Sequence, residues 1–187
     1  MKQESTAKFV IRLTLTLLII STIVAALLAF VNQLTAPVIA QANQEKIMEA
    51  IEVVLPGGYE TEITDFTDNT GLVSKVYKGQ NGYAVEVTPS GFDNTITMMV
   101  GISLDGKVLG ISVISHTETA GLGAVAAANN AAGKAFRDQF IGQSGQVQVS
   151  KDGGTIDAIT GATVTSRAIC NGVNAALDCV AELGGAQ

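Results

Sequence analysis

The sequence predicts an α+β protein: a single N-terminal transmembrane helix, then a domain in which an antiparallel sheet is flanked by helices. Three observations lead there. Leu13 to Val31 holds no charged residue and is rich in Leu, Ile, Val and Ala. Two pairs of β-rich runs flank the tight turns Gly79-Gln80-Asn81-Gly82 and Asp105-Gly106. The chain after Gly123 returns to helical patterning, interrupted by Gly-rich turns.

The apolar run comes first. Its 19 residues, at about 1.5 Å each, match the hydrocarbon core of a bilayer. The run exceeds the h-region of a signal peptide, and Pro37 disfavours cleavage after Ala36. It has no periodic polar face, which argues against a buried soluble helix. Lys2, Lys8 and Arg12 precede it, whereas Lys46 stands beside Glu45, Glu49 and Glu52 after it. The positive-inside rule then places residues 1–12 in the cytoplasm, 13–31 in the inner (cell) membrane and the rest outside.

Residues 32–56 are expected to connect anchor and domain. Pro37 marks a break, and Gln41 to Leu55 forms an amphipathic helix with Ile47, Ala50, Ile51 and Val54 on one face. Pro56-Gly57-Gly58 ends it. The domain proper spans 57–187. Its expected strands are Leu72–Tyr77, Tyr83–Thr88, Thr95–Leu104 and Lys107–Ser115, the last two apolar on both faces and therefore central. Met98 and Met99 fit either a core or a ligand wall. A polar loop, His116 to Gly123, follows. Then come an Ala-rich helix from Ala124 to Phe140, a short strand at Gln146–Val149, and a last helix from Thr165 to Leu183 ending at Gly184-Gly185.

Composition narrows the function. After the span the chain has 8 basic and 16 acidic residues and no basic-aromatic stripe, which disfavours nucleic acid as a partner. One histidine and two cysteines, Cys170 and Cys179, give no metal-ligand spacing, so no metal site is expected. Nine residues apart, the cysteines lie about half a turn from each other on one helix and cannot pair. Burial is the expected role of both. No G-x-G-x-x-G follows a strand.

The most informative stretch is Asp157-Ala158-Ile159-Thr160-Gly161-Ala162-Thr163-Val164-Thr165-Ser166. Four hydroxyl side chains surround one glycine just before a helix. The first N–H groups of a helix lack intrahelical partners and face a positive macrodipole end, so this arrangement suits an anion. Gly161 allows close backbone approach, and Thr160, Thr165 and Ser166 can donate or cap. A plain Thr-rich N-cap is the alternative, with Asp157 making an Asx-turn.

Asp157-x-x-Thr160-Gly161-Ala162-Thr163-x-Thr165 closely resembles the flavinylation motif of covalent FMN proteins. His116-Thr117-Glu118-Thr119-Ala120-Gly121-Leu122-Gly123 resembles a second family segment, with Ala120 where proline is usual. Both belong to the FMN-binding domain shared by the G subunit of Rnf electron-transport complexes and the C subunit of the sodium-translocating NADH:quinone reductase. With the single span, the resemblance covers nearly the whole chain, and its compact external part is more like the Rnf protein.

The resemblance implies a redox subunit of an ion-translocating complex that couples ferredoxin and NAD to Na⁺ or H⁺ transport. It implies FMN joined through its phosphate to Thr163 by a flavin transferase, the other Rnf subunits as partners, and no catalytic residue in this chain. Asp157 would serve the transferase reaction. Thr160, Gly161, Ala162, Thr165, Ser166, Thr119, Gly121 and Leu122 would line the flavin. Glu118 is either a flavin contact or a salt-bridge partner; His116 and Arg167 are lesser candidates. The alternatives are the quinone-reductase relative, another anchored FMN carrier, a module for free flavin or a small anion, and a non-redox scaffold.

Overall fold

A computed structural model describes residues 6–184; Lys2, Glu4 and Gly185 lie outside the described residues. The chain divides into two compact units, Met1–Glu45 and Lys46–Gln187.

In the first unit helix α1 begins; it runs Thr6–Val54, with Pro37 inside it. The expected break at Pro37 is therefore absent. A proline removes one backbone hydrogen bond and strains the preceding turn, but Leu34, Val38 and Ile39 around it leave no competing turn signal. Among the described residues α1 is the one helix long and apolar enough to cross a membrane. Its large apolar side chains, Phe9 to Ile39, are all exposed. Four of its threonines pair their hydroxyls within the helix. Thr14, Thr16, Thr22 and Thr35 each donate to the carbonyl four residues earlier, at 2.8–3.0 Å. A helix in hydrocarbon must satisfy its polar groups internally in this way.

The second unit is built on five antiparallel strands in sequence order: β1 (Thr61–Ile63), β2 (Val73–Gly79), β3 (Gly82–Val87), β4 (Thr97–Ser103) and β5 (Val108–Ser115). The two hairpins fall where their turn residues put them. Strand β1 was not expected; three residues after a Pro-Gly-Gly turn give too short a pattern.

Period-two alternation sends the two faces of the sheet to different layers. Val76, Val85, Met98, Val100, Ile102 and Ile111 face α3 (Thr163–Glu182) and α2 (Ala131–Asp138), with Phe136, Phe140, Ile169 and Val173 across from them. Tyr77, Ala84 and Met99 face the last turns of α1, where Ala50, Ile51 and Val54 pack, together with Leu55 just beyond it. Met98 and Met99 are thus core residues of opposite faces. Cys170 and Cys179 are free and buried; burial pushes both thiols up to about 11, so they stay protonated at neutral pH.

Two expected elements differ. The helix drawn from Ala124 to Phe140 is a 3₁₀ turn, Gly123–Ala127, then α2. Asn130 separates them: its side chain accepts from the Gly133 N–H at 2.9 Å and caps α2. The expected strand at Gln146–Val149 is reduced to one parallel bridge, Val149 with Ile156. A second 3₁₀ turn, Ser150–Asp152, follows it.

Glu86 is a buried carboxylate on the α1-facing side of β3, and its Oε2 has no hydrogen-bond partner among the described residues. Burial raises its pKa; Lys75, its cross-strand neighbour, opposes the shift and Glu62 adds to it. A carboxyl whose folded pKa lies above the unfolded value stabilises the fold while protonated, and this contribution is lost as pH rises through the folded pKa. Glu86→Gln is therefore expected to melt a few °C above the wild type at pH 8, with the gap closing towards pH 4. Melting curves across that range check it.

Candidate functional site

Helix α3 starts at Thr163, two residues earlier than the sequence indicated, with Ala162 as N-cap and no side-chain cap bond. The turn before it is built by Ser166, which is fully buried. Its hydroxyl accepts from the Ile159 N–H and donates to the Ala162 carbonyl, both at 3.0 Å. Gly161 takes φ +77°, a conformation open to glycine at little cost. The result points the first turn of α3 outward with Thr163 half-buried at its tip.

Facing that tip is the loop after β5. The Thr119 carbonyl accepts from Leu122 and Ala124, both at 3.2 Å, which curls the loop towards α3. Between loop and helix lies a cleft of about 330 Å³, within the usual range for small-molecule sites. Its lining includes Glu118, Thr119, Leu122, Gly161, Ala162, Thr163 and Thr165. Seven of the residues picked from the sequence thus meet around one space. Gly121 and Thr160 are exposed beside it, and Ser166 lies beneath it.

Glu118 lines the cleft but forms no salt bridge among the described residues. It is 7% exposed. Its Oε1 accepts from the backbone N–H groups of Phe92, at 2.8 Å, and Asp93, at 3.3 Å. Its Oε2 accepts from the Thr165 hydroxyl. Gly91 and Gly123 close in on the two oxygens, and a Cβ at either position would run into the carboxylate. Glu118 therefore ties three segments together: the loop before β4, the loop after β5 and α3. Thr165, 1% exposed, is committed to it. His116 shares the small space behind this clamp with Ile96 and Ala126, and its Nδ1 is buried without a partner among the described residues.

Four lining residues were not among those picked: Gly123 and Val164, which lie within the two quoted stretches, and Phe92 and Lys151, which lie outside them. Phe92 is 73% exposed at the rim. With Leu122 and Val164, 43% and 46% exposed, it gives the cleft an apolar mouth. Lys151, on the second 3₁₀ turn, donates to the Thr163 hydroxyl at 3.0 Å. Arg167 does not reach the cleft; it forms a two-pronged pair with Asp152 at 2.6 and 2.7 Å. This pairing lowers the Asp152 pKa. The Asp157 side chain makes no hydrogen bond among the described residues. The segment is held instead through its backbone, which exchanges bonds with the Gln139 amide at 2.7 and 3.3 Å, so the Asx-turn reading fails.

The residues present fit FMN. A hydroxyl, an ammonium and the free N–H groups of a helix start suit a phosphate. Exposed Phe, Leu and Val beside them suit an aromatic ring system.

Comparison with known proteins agrees. Residues 91–178 match the model of the FMN-binding domain, and residues 1–54 match that of the RnfG N-terminal region. The chain is 34% identical to the G subunit of the Na⁺-translocating ferredoxin:NAD⁺ oxidoreductase complex of Acetobacterium woodii, over 89% of both chains.

The chain belongs to the Rnf G-subunit family.

Other members are the G subunits of the ion-translocating oxidoreductase complexes of Methanosarcina acetivorans and Pseudomonas aeruginosa. The former is 31% identical over 94% of this chain and 97% of its own length, the latter 30% over 92% and 89%. These relatives are named as parts of ion-translocating oxidoreductases. The two family matches fall on the long apolar helix and on residues 91–178 separately, and the G-subunit relatives align over about nine-tenths of the chain.

Proposed function

We propose that this chain is the electron-carrying G subunit of an Rnf-type complex, which couples ferredoxin:NAD oxidoreduction to Na⁺ or H⁺ transport, and that it holds FMN as a phosphoester of Thr163. The observation behind the covalent site is the contrast between two threonines. The Thr163 hydroxyl opens on the cleft and meets Lys151, whereas that of Thr165 is buried and bound to Glu118.

A phosphoester at Thr163 keeps about one negative charge at the first residue of α3. Dipole and free N–H groups there favour it by about 0.3–1 kcal/mol, up to ~2 where partly buried. Phe92, Leu122 and Val164 would cover the ring and exclude water from one side. Bound FMN supplies one- and two-electron redox chemistry, and the protein sets its position and surroundings. The other Rnf subunits are the partners, a flavin transferase matures the site, and the membrane holds the anchor. The N-terminus is cytoplasmic, as Lys8 and Arg12 before the apolar run favour, and the domain lies outside the inner membrane. A covalent tether retains the flavin there. The span has no charged residue between Leu13 and Val31, so ion passage falls to other subunits.

Co-expression with a flavin transferase, followed by a denaturing gel under ultraviolet light, tests this. A fluorescent band is expected. A dark band would favour a free-flavin module or a scaffold.

A further inference from the structure

The domain that follows the span has twice as many acidic as basic residues, an unfavourable field for a phosphate. A local cation is needed, and among the described residues lining the cleft Lys151 is the one that bears a positive charge. Its Nζ is 3.0 Å from the Thr163 hydroxyl oxygen. Lys151 stands 12 residues before Thr163, so its position depends on the turn that presents it.

That turn is braced on both sides. The next residue, Asp152, is bound through both carboxylate oxygens to Arg167, one turn into α3. Behind it the turn is closed by backbone bonds from Ser150 to Ile156, at 2.7 Å, and from Gly154 to Val149, at 3.1 Å. The guanidinium that sequence alone offers to the phosphate is thus occupied, and the carboxylate that would repel the phosphate is neutralised by it.

We infer that Lys151 is the counter-cation of the attachment site, and that the Asp152–Arg167 pair is the strut that positions it. This rests on Thr163 being the attachment residue. Before modification the ammonium orients the Thr163 hydroxyl; afterwards it pairs with the phosphoester. In the transfer from a flavin phosphoanhydride, the Thr163 Oγ–P bond forms and the donor's P–O bond to its leaving phosphate group breaks with its electron pair. The hydroxyl proton passes to a base of the transferase, and Lys151 keeps its own protons. An ammonium beside the incoming phosphate offsets charge at the step where two anionic groups converge on an acidic protein.

The test uses the full-length chain with purified flavin transferase and a limiting time course. Covalent flavin is read by intact mass, and the loaded protein by its ³¹P resonance. Lys151→Met is expected to slow loading about tenfold or more, to shift the ³¹P resonance, and to leave the melting temperature near that of the wild type. Lys151→Arg is expected to restore most of the rate, and 0.5 M salt to narrow the gap between Met variant and wild type. Asp152→Asn is expected to slow loading by a smaller factor, about threefold. Wild-type loading by Lys151→Met with an unmoved ³¹P resonance would overturn the inference while leaving Thr163 as the attachment residue. Equal slowing in the Met and Arg variants would overturn it too, since charge would then be irrelevant. A wild-type chain that takes no flavin would remove the underlying reading and the inference together.

Discussion

Replacing Glu118 with Ala is expected to cost the domain about 3 kcal/mol and lower its melting temperature by roughly 10 °C. The carboxylate accepts three hydrogen bonds, from the Phe92 and Asp93 N–H groups and the Thr165 hydroxyl. Removing it orphans the Thr165 hydroxyl in the interior, a loss of about 1–3 kcal/mol, and releases the loop that presents Phe92. Nothing can move in to replace it, because Gly91 and Gly123 fit closely around its oxygens and supply no side chain. Glu118→Gln keeps the shape, one acceptor for the Phe92 amide and an NH₂ for the Thr165 oxygen, so about 1 kcal/mol is expected. Thermal unfolding separates the three proteins. An Ala variant melting within a few degrees of wild type would show that the clamp is dispensable.

Thr163→Val is expected to abolish covalent flavin completely, since the hydroxyls that remain are not at the first residue of α3 beside Lys151: Thr119 and Thr160 stand on the flanking loops and Thr165 is bound to Glu118. Thr163→Ser should load. The informative control is Thr165→Ser, which keeps the bond to Glu118 and should also load. Thr165→Val confounds the comparison, because it leaves the Glu118 carboxylate short of a donor in a buried site. Intact mass after exposure to the transferase distinguishes all of these.

Local signals exposed most of the frame. Asp105-Gly106 and Gly79 to Gly82 placed two hairpins. Apolar residues on both faces placed β4 inside the sheet, but β5, expected to be central as well, is an edge strand paired with β4 alone. Its two-faced pattern reflects packing layers on both faces, Ile111 and Val113 in one cluster and Ile114 in the other, not a second strand neighbour. The Thr-rich turn and the His116 to Gly123 loop were each legible as short motifs. Their meeting across one cleft was not, because it depends on the sheet and α3 packing between them. Glu118 shows the limit well. Sequence offers a carboxylate in a polar loop; only the fold brings Thr165, 47 residues away, against it. Phe92 and Lys151 were missed for the same reason, as neither carries a local pattern. The division of the Ala-rich helix was legible in principle, since Asn129-Asn130 before Ala131 is an N-cap signal. The continuous α1 through Pro37 shows the opposite error, a local breaker outweighed by the helix-forming residues on both sides.

If one threonine, at the first residue of α3, is the flavin anchor, peptide mapping by tandem mass spectrometry of the transferase-treated wild-type chain will locate it. A single flavin-phosphate adduct on Thr163 is expected. An adduct on Thr160 or Thr165, or none on the peptide containing them, would contradict the assignment.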